Sequence, residues 1–306
     1  MKMDNAIEAQ VISAFGKNFK VKAKFEGVEQ IFHCYVKGKK SGICVGDFVD
    51  LEFPEGADSE EAVISNIHDR RNLLYRSDDM RSKLFASNID VLAIVVGVEP
   101  EFSTDLLGRS IIAAFSEGIK PLIILNKIDL DGVDTIREKL SLYKNLGIDI
   151  VETSKKTPKS VIESLKPYFE GKTSILFGQS GMGKSSLLNI LVKEASAFTQ
   201  EHSKALGSGK HTTTSTQMYE ISDFEGRIID SPGFQSFGLK HLDQDELLDG
   251  FPEFKEFVGN CRFYNCQHLN EPNCSLLEAK DAKKISQERY DLYTRILAEI
   301  NAPERY

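Results

Sequence analysis

The run SILF at 174–177 is followed at once by Gly178-Gln179-Ser180-Gly181-Met182-Gly183-Lys184-Ser185 and then by the helix-favouring stretch SLLNILV. Three glycines within six positions suit neither a strand nor a helix, so the chain turns sharply between the two. The spacing G-x-x-x-x-G-K-[ST] adds chemistry to that turn. Its glycines let successive backbone N–H groups face inward around phosphate oxygens, and the following helix N-terminus contributes the positive end of its dipole. The expected lining runs from Gly178, Gln179, Ser180, Gly181, Met182 and Gly183 through Lys184, Ser185 and Ser186. Lys184 would neutralise the β and γ phosphates, and Ser185 would ligate Mg²⁺.

The surrounding pattern is that of an α/β doubly wound domain. Continuous apolar runs at 91–98, 121–126 and 174–177 read as strands buried on both faces of a parallel sheet, and 104–116, 133–146 and 158–169 carry helical periodicity. Thr104 or Asp105 is the expected cap of the first helix. Residues 1–70 differ: short stretches at 9–13, 18–25, 30–36, 47–53 and 61–67, rich in Val, Ile and Phe and separated by Gly-containing turns, predict a small all-β barrel of the oligonucleotide-binding (OB) type. From 241 the chain becomes helical and acidic, ending in a segment at 279–300 whose Ile285, Tyr293, Ile296 and Ile300 form a packing stripe. The expected division is a barrel at 1–70, a nucleotide-binding α/β domain at 71–240 and a metal-binding helical domain at 241–306.

Asn126-Lys127-Ile128-Asp129 closes the run PLIIL as N-K-x-D. A carboxylate at Asp129 can accept from both the N1–H and the N2 amino group of guanine. Adenine has no donor at either place, so a buried carboxylate left unpaired would penalise ATP. Lys127 is expected to lay its stem along the base, Asn126 to tie this loop to the phosphate loop, and Thr153-Ser154-Lys155 to turn a backbone amide toward guanine O6. Asp230-Ser231-Pro232-Gly233 matches the D-x-x-G element: Asp230 would reach Mg²⁺ through water and the Gly233 amide would meet the γ-phosphate. Between them, Gly209-Lys210-His211-Thr212-Thr213-Thr214 reads as a loop that orders when a threonine hydroxyl, Thr213 or else Thr214, completes the Mg²⁺ shell. Phe234 stands where Ras-like enzymes carry a glutamine. His211 is therefore the candidate for positioning the catalytic water, with an ordinary exposed loop histidine as the competing reading.

The order of these motifs is rotated relative to an ordinary GTPase, in which the phosphate loop precedes N-K-x-D. The chain thus reads as a circularly permuted GTPase, a rotation a sheet tolerates where termini lie close together. It sends the segment after Gly233 directly into the C-terminal domain, through which hydrolysis could be read out as movement.

Charge needs resolving by segment. Lys and Arg total 38 against 46 for Asp and Glu, a net −8 that argues against a surface coated for nucleic acid. Residues 17–40 nevertheless hold seven lysines against Glu26 and Glu29, whereas 41–61 hold seven acids and no Lys or Arg. One edge of the barrel is therefore expected to be basic. The start MKMDNAIEAQ lacks a secretory h-region and no window approaches ~20 apolar residues, which predicts a cytoplasmic chain with no membrane contact. Of five cysteines, Cys261, Cys266 and Cys274 crowd with His268 into C-x4-C-x-H-x5-C. Three thiolates and one imidazole supply the four tetrahedral ligands of a structural zinc site, one Zn²⁺ per chain, with no vacancy for catalytic water. Cys34 and Cys44 are best explained as small core residues.

Together GQSGMGKSSLLN, NKIDL, GKHTTT and DSPGF, preceded by a barrel and followed by the Cys/His cluster, resemble the RsgA/YjeQ family of circularly permuted, small-ribosomal-subunit-dependent GTPases across nearly the whole chain. The resemblance implies GTP hydrolysis to GDP stimulated by the 30S subunit, late small-subunit maturation, contact with 16S rRNA through the barrel and zinc domain, a monomer, and a role for His211 in hydrolysis. Two other readings stay open: a permuted GTPase serving the large subunit, which leaves the barrel and cluster unexplained, and a GTP-gated RNA-binding scaffold with incidental hydrolysis.

Overall fold

Alternation of apolar and polar residues builds the first part of the chain. The computed structural model describes residues 7–36, 42–54, 61–77, 82–193, 216–230, 237 and 239–302. Strands β1 (Ile7–Phe15), β2 (Asn18–Phe25), β3 (Val28–Val36), β4 (Phe48–Glu52) and β5 (Glu61–Ile67) pair in the order β1-β2-β3-β5-β4, and β1–β4 pairing closes the ring. Val11, Val21, Phe32, Val49, Leu51 and Ile64 point inward into a core of their own. On β2, β3 and β4 their sequence neighbours are more exposed, as a period of two requires, whereas on β1 and β5 Gln10 and Val63, beside Val11 and Ile64, are buried as well. The result is the five-stranded OB-like barrel that the sequence predicts.

A hairpin of β6 (Leu73–Ser77) and β7 (Ser82–Ser87), not foreseen from the sequence, leads into the second unit. There the apolar runs become β8 (Val91–Gly97), β9 (Lys120–Asn126), β10 (Asp149–Thr153), β11 (Thr173–Phe177) and β13 (Arg227–Asp230), parallel in the order β10-β9-β8-β11-β13. Helices α1 (Thr104–Ser116), α2 (Val133–Asn145), α3 (Pro158–Phe169) and α4 (Lys184–Leu191) connect them. Because the five strands run the same way, their C-terminal ends line one edge of the sheet. Asn126, Thr153, Phe177 and Asp230 all fall there, where ligands bind in open α/β sheets. The cap of α1 is neither Thr104 nor Asp105. Ser103 accepts the Leu106 N–H at 3.1 Å, and its own N–H is held by Gln179 Oε1 at 2.7 Å.

Strand β12 (Thr216–Glu220) lies antiparallel to β13, and β1 of the barrel lies antiparallel to β12, with Ser13 opposite Gln217. Barrel and parallel sheet are therefore one hydrogen-bonded ladder. Lys22 of β2 reinforces the seam by pairing with Glu220 as well as with Glu29 (2.6 Å). A second joint is the fully buried Asp47, whose carboxylate accepts from the Cys44 N–H (2.9 Å), the Ser87 hydroxyl (2.6 Å) and Arg70 Nε (2.7 Å).

The C-terminal region holds α5 (Gln244–Asp249), a 3-10 turn (Pro252–Phe254), α6 (Ser275–Asp281) and α7 (Gln287–Ile300). The helical segment expected at 279–300 is thus two helices. Lys283 takes a left-handed φ of 58°, Lys284 N–H closes on the Ala279 carbonyl (2.9 Å), and Ser286 caps α7. These helices share one core with the parallel sheet: Phe251, Tyr293 and Ile296 join Ile111 and Ile112 of α1 in it. Packing is close enough that a Cβ on Gly108 would collide with Leu292, and one on Gly250 with Ile112. Arg109 spans the joint, paired with Asp105 (2.7 Å) and with Glu299 (2.8 Å). Among the described residues no helix is long and apolar enough to cross a membrane.

Candidate functional site

The turn after β11 puts Gly178 at φ 146° and Gly183 at φ 96°, backbone that L side chains rarely adopt. Space is equally restrictive. A Cβ on Gly178 would run into the Val95 carbonyl, and one on Gly183 into the Asn126 amide, each closer than 3.0 Å. The loop is pinned at two further points: Gln179 to the start of α1, and the Met182 carbonyl to Asn126 Nδ2 at 2.9 Å. Lys184 Nζ lies against the Gly178 (2.5 Å) and Gln179 (2.9 Å) carbonyls of its own loop. Burial lowers its pKa from the ordinary lysine value, with Asp230 opposing. Ser185 and Ser186 open α4, Ser185 facing solvent.

Adjacent strand ends supply the second wall. Asn126 is buried at the end of β9, and Thr153 opposite it in the parallel register donates to its side-chain oxygen at 3.1 Å. Asn126 therefore bridges three segments, and its position is over-determined. Lys127 adopts φ 62°, so the chain reverses there; its stem passes beside Gly97 and Gly183, and its amine reaches the Glu99 carbonyl (2.5 Å). Ile128 N–H meets the Thr153 carbonyl at 3.3 Å. Asp129 differs from expectation: its carboxylate is part-buried rather than fully enclosed, and already paired, with the Ser154 hydroxyl at 2.5 Å and Lys156 Nζ at 2.8 Å. Hydrogen bonds from Lys156 and Ser154 bring its pKa down to about 2, so it is an anion at neutral pH. Lys156 was not singled out from the sequence; its only signal was its place three residues after the buried Thr153. Asp230 ends β13 on the same edge, opposite Gln217 of β12. His211, Thr213, Thr214 and Gly233 lie outside the described residues.

The edge so assembled has a glycine turn at the start of α4 with the Lys184 amine in it, and, on the loop after β9, the Asp129 carboxylate aligned by Ser154 and Lys156. Chemically it can take a polyanion at one end and a ring with adjacent N–H donors at the other.

Cys261, Cys266, His268 and Cys274 also come together, every donor atom within 4.8 Å of the others. Cys261 Sγ is 3.8 Å from Cys274 Sγ and 3.5 Å from His268 Nδ1. A tetrahedron with Zn–S of about 2.3 Å and Zn–N of about 2.0–2.1 Å requires about 3.8 Å and about 3.6 Å for these separations. The group can therefore hold a metal ion, with Nδ1 as the imidazole ligand. Burial lowers the His268 pKa, which keeps the ring neutral as ligation needs. Three supports hold the loop, none foreseen from the sequence. Tyr290 and Tyr293 hydroxyls donate to the His268 (2.8 Å) and Gln267 (2.9 Å) carbonyls. Glu271 accepts the N–H groups of Gln267 (2.8 Å) and Leu269 (2.9 Å). Burial pushes the Glu271 pKa upward, but these backbone hydrogen bonds outweigh it and bring it to about 2.

A protein-family profile described as RsgA GTPase matches residues 67–240. The chain is 48% identical over 303 residues to a Bordetella pertussis protein named small ribosomal subunit biogenesis GTPase RsgA, covering 99% of each. It is 47% identical over 294 residues to a protein of the same name from Burkholderia pseudomallei, covering 95% of this chain and 92% of that one. The crystal structure of YjeQ from Thermotoga maritima superposes with a TM-score of 0.72 at 30% identity, over 98% of this chain and 100% of that one. That of YloQ, a circularly permuted GTPase, does so with 0.70 at 28%, over 100% and 99%.

Proposed function

The chain belongs to the RsgA GTPase family of circularly permuted GTPases and is a GTP-hydrolysing enzyme, and from that premise we propose that it acts in maturation of the small ribosomal subunit, with hydrolysis stimulated by the 30S particle. The end-to-end match to relatives named for small-subunit biogenesis carries this reading. Asn126, Lys127, Ile128, Asp129 and Ser154 form the guanine pocket, with Asp129 accepting from N1–H and N2 once Lys156 and Ser154 have aligned it. Gly178 through Ser186, together with Gly233, hold the phosphates. Mg²⁺, held by Ser185, Thr213 and, through water, Asp230, would supply charge neutralisation at the β and γ phosphates. His211 positions the attacking water. Cys261, Cys266, His268 and Cys274 hold a structural Zn²⁺.

The barrel, residues 1–70, is the proposed RNA-facing unit of a cytoplasmic, monomeric protein, ahead of a GTPase domain at 71–240 and a zinc domain at 241–306. Support comes from the outer face of β2 and β3. Lys20 stands opposite His33 and Asn18 opposite Tyr35 in register, so cations and exposed rings share one surface. Such interleaving suits 16S rRNA, cations meeting phosphates and rings stacking on bases. Lys22, committed to Glu29 and Glu220, is less free to contribute.

GTPase rate measured with purified 30S subunits, with 50S subunits and with neither tests the proposal. Acceleration by 30S alone is expected. Acceleration by 50S alone would transfer the protein to the large subunit, and no acceleration by either would leave a scaffold with incidental hydrolysis.

A further inference from the structure

The loop from Cys261 to Cys266 is pinned from below and bare above. Both its ends belong to the metal-ligand group, and Gln244 Nε2 holds the Cys266 carbonyl at 2.8 Å. Its side chains nevertheless point away from the body: Tyr264 is 103% exposed and Phe263 is 41% exposed. The Tyr264 ring, held out on a fixed loop, is left for a partner to cover. Beside them, and reaching Cys261, Cys266 and His268 of the ligand group, runs a groove of about 550 Å³, walled by Phe263, Tyr264, Leu248 and Val258 and edged by Asp243 and Asp245.

Charge decides what fits. No Lys or Arg lines the groove among the described residues. Asp243 is partly engaged as the cap of α5, accepting the Glu246 N–H at 2.9 Å, whereas Asp245 is exposed. Residues 241–306 as a whole carry thirteen Asp and Glu against eight Lys and Arg. A phosphate backbone would meet carboxylates in this groove, so any 16S rRNA contact made by the zinc domain falls outside it. The Arg262 guanidinium already lies 5.5 Å over the Phe263 ring, so an aromatic face on this loop takes a planar cation.

We propose that this groove docks an arginine- or lysine-bearing segment of a basic protein. The aliphatic stem lies on Leu248 and Val258, and the cationic head sits over Tyr264 and against the Asp245 carboxylate. The assignment is independent of the subunit reading, because it can be measured on the purified chain with no ribosomal particle present.

The test uses the full-length, zinc-loaded chain and a fluorescent Arg-Gly repeat peptide, titrated at low salt and read by anisotropy. A single-stranded RNA oligonucleotide is titrated in parallel. Tyr264→Ala and Asp245→Asn should each weaken peptide binding about tenfold and leave RNA affinity unchanged. Glu138→Gln, which removes an exposed carboxylate on α2, should change peptide binding less than about twofold, so that simple attraction to an acidic protein is separated from the groove. Zinc content and subunit-free GTP turnover report that each variant is folded. Peptide affinity unaltered by both groove variants would overturn the proposal. So would a Tyr264→Ala variant that loses RNA affinity and keeps peptide affinity, which would make the loop a base-stacking contact.

Discussion

Gly183→Ala isolates the geometric demand of the phosphate loop. The added methyl meets Asn126 Nδ2 closer than 3.0 Å and Asn126 Cγ at 3.5 Å, in a backbone at φ 96°. Left-handed backbone costs an L-residue about 1–2 kcal/mol. Asn126 must also shift, yet it is buried and holds both the Met182 carbonyl and the Thr153 hydroxyl. Leaving such groups unsatisfied costs about 1–3 kcal/mol. The two terms together come to about 2–5 kcal/mol. Borne by the nucleotide-competent loop, this lowers affinity about thirtyfold at the least, since each ~1.4 kcal/mol is tenfold. Titration with a fluorescent GDP analogue reads the affinity, and urea unfolding reads any share borne by the whole fold. Gly171→Ala is the matched control. Gly171 also has positive φ (68°), but nothing lies within 4 Å of its Cβ, and it sits at the opposite end of β11. It should show only the backbone cost of about 1–2 kcal/mol in urea and an unaltered GDP affinity. If Gly183→Ala matched wild type in both measurements, the close approach of Asn126 would not constrain this loop.

Lys184→Ala should abolish GTP binding or turnover while zinc content, measured by atomic absorption, stays at one per chain; full activity would remove Lys184 from the phosphate site. Cys261→Ser should reduce bound zinc from one per chain to none and make residues 241–302 sensitive to protease, while GDP affinity changes far less. Asp129→Asn exchanges an acceptor for a donor, so GTP affinity should fall about a hundredfold or more and xanthosine triphosphate, with a carbonyl at position 2, should gain; equal affinities for the two in both proteins would contradict the guanine assignment. His68 and Asp50 form a 2.8 Å pair on the barrel, in which Asp50 raises the His68 pKa and His68 lowers that of Asp50. The stabilisation is full below the unfolded histidine value of about 6.5 and fades as pH rises through the raised folded value. It also fades as pH falls below about 3.9, through the depressed folded value of Asp50. Urea stability should therefore drop by less than about 1 kcal/mol between pH 6 and 8, and His68→Gln should flatten that segment of the profile.

Much of the architecture was legible because it is written locally. A strand buried on both faces must be apolar throughout, so VLAIVVG announces itself. A glycine-rich turn between strand and helix admits few alternatives. Three thiolates and an imidazole within fourteen residues lie close whatever the loop does between them. Features decided by distant partners left weaker traces. TQMYE at 216–220 is a marginal strand by composition, and it becomes one because β13 and β1 flank it. Ser103, Thr104 and Asp105 are all chemically able to cap α1, and Gln179, seventy-six residues on, settles the choice by holding the Ser103 N–H. Lys156 acts through Asp129, which sits on a neighbouring strand end.

The sequence by itself determined the class of fold, the permuted order of the nucleotide motifs and the family, because each depends on residue type and spacing along the chain. Tertiary structure alone decided that the barrel continues the parallel sheet through β1 and β12, and that the C-terminal helices share the core of α1. It also decided that the ring-bearing loop between Cys261 and Cys266 lines a groove edged by Asp243 and Asp245. Strand edges, helix faces and carboxylates have no preferred partner until folding brings them within a few ångströms, and which partners meet is set by loop closure and packing over the whole chain.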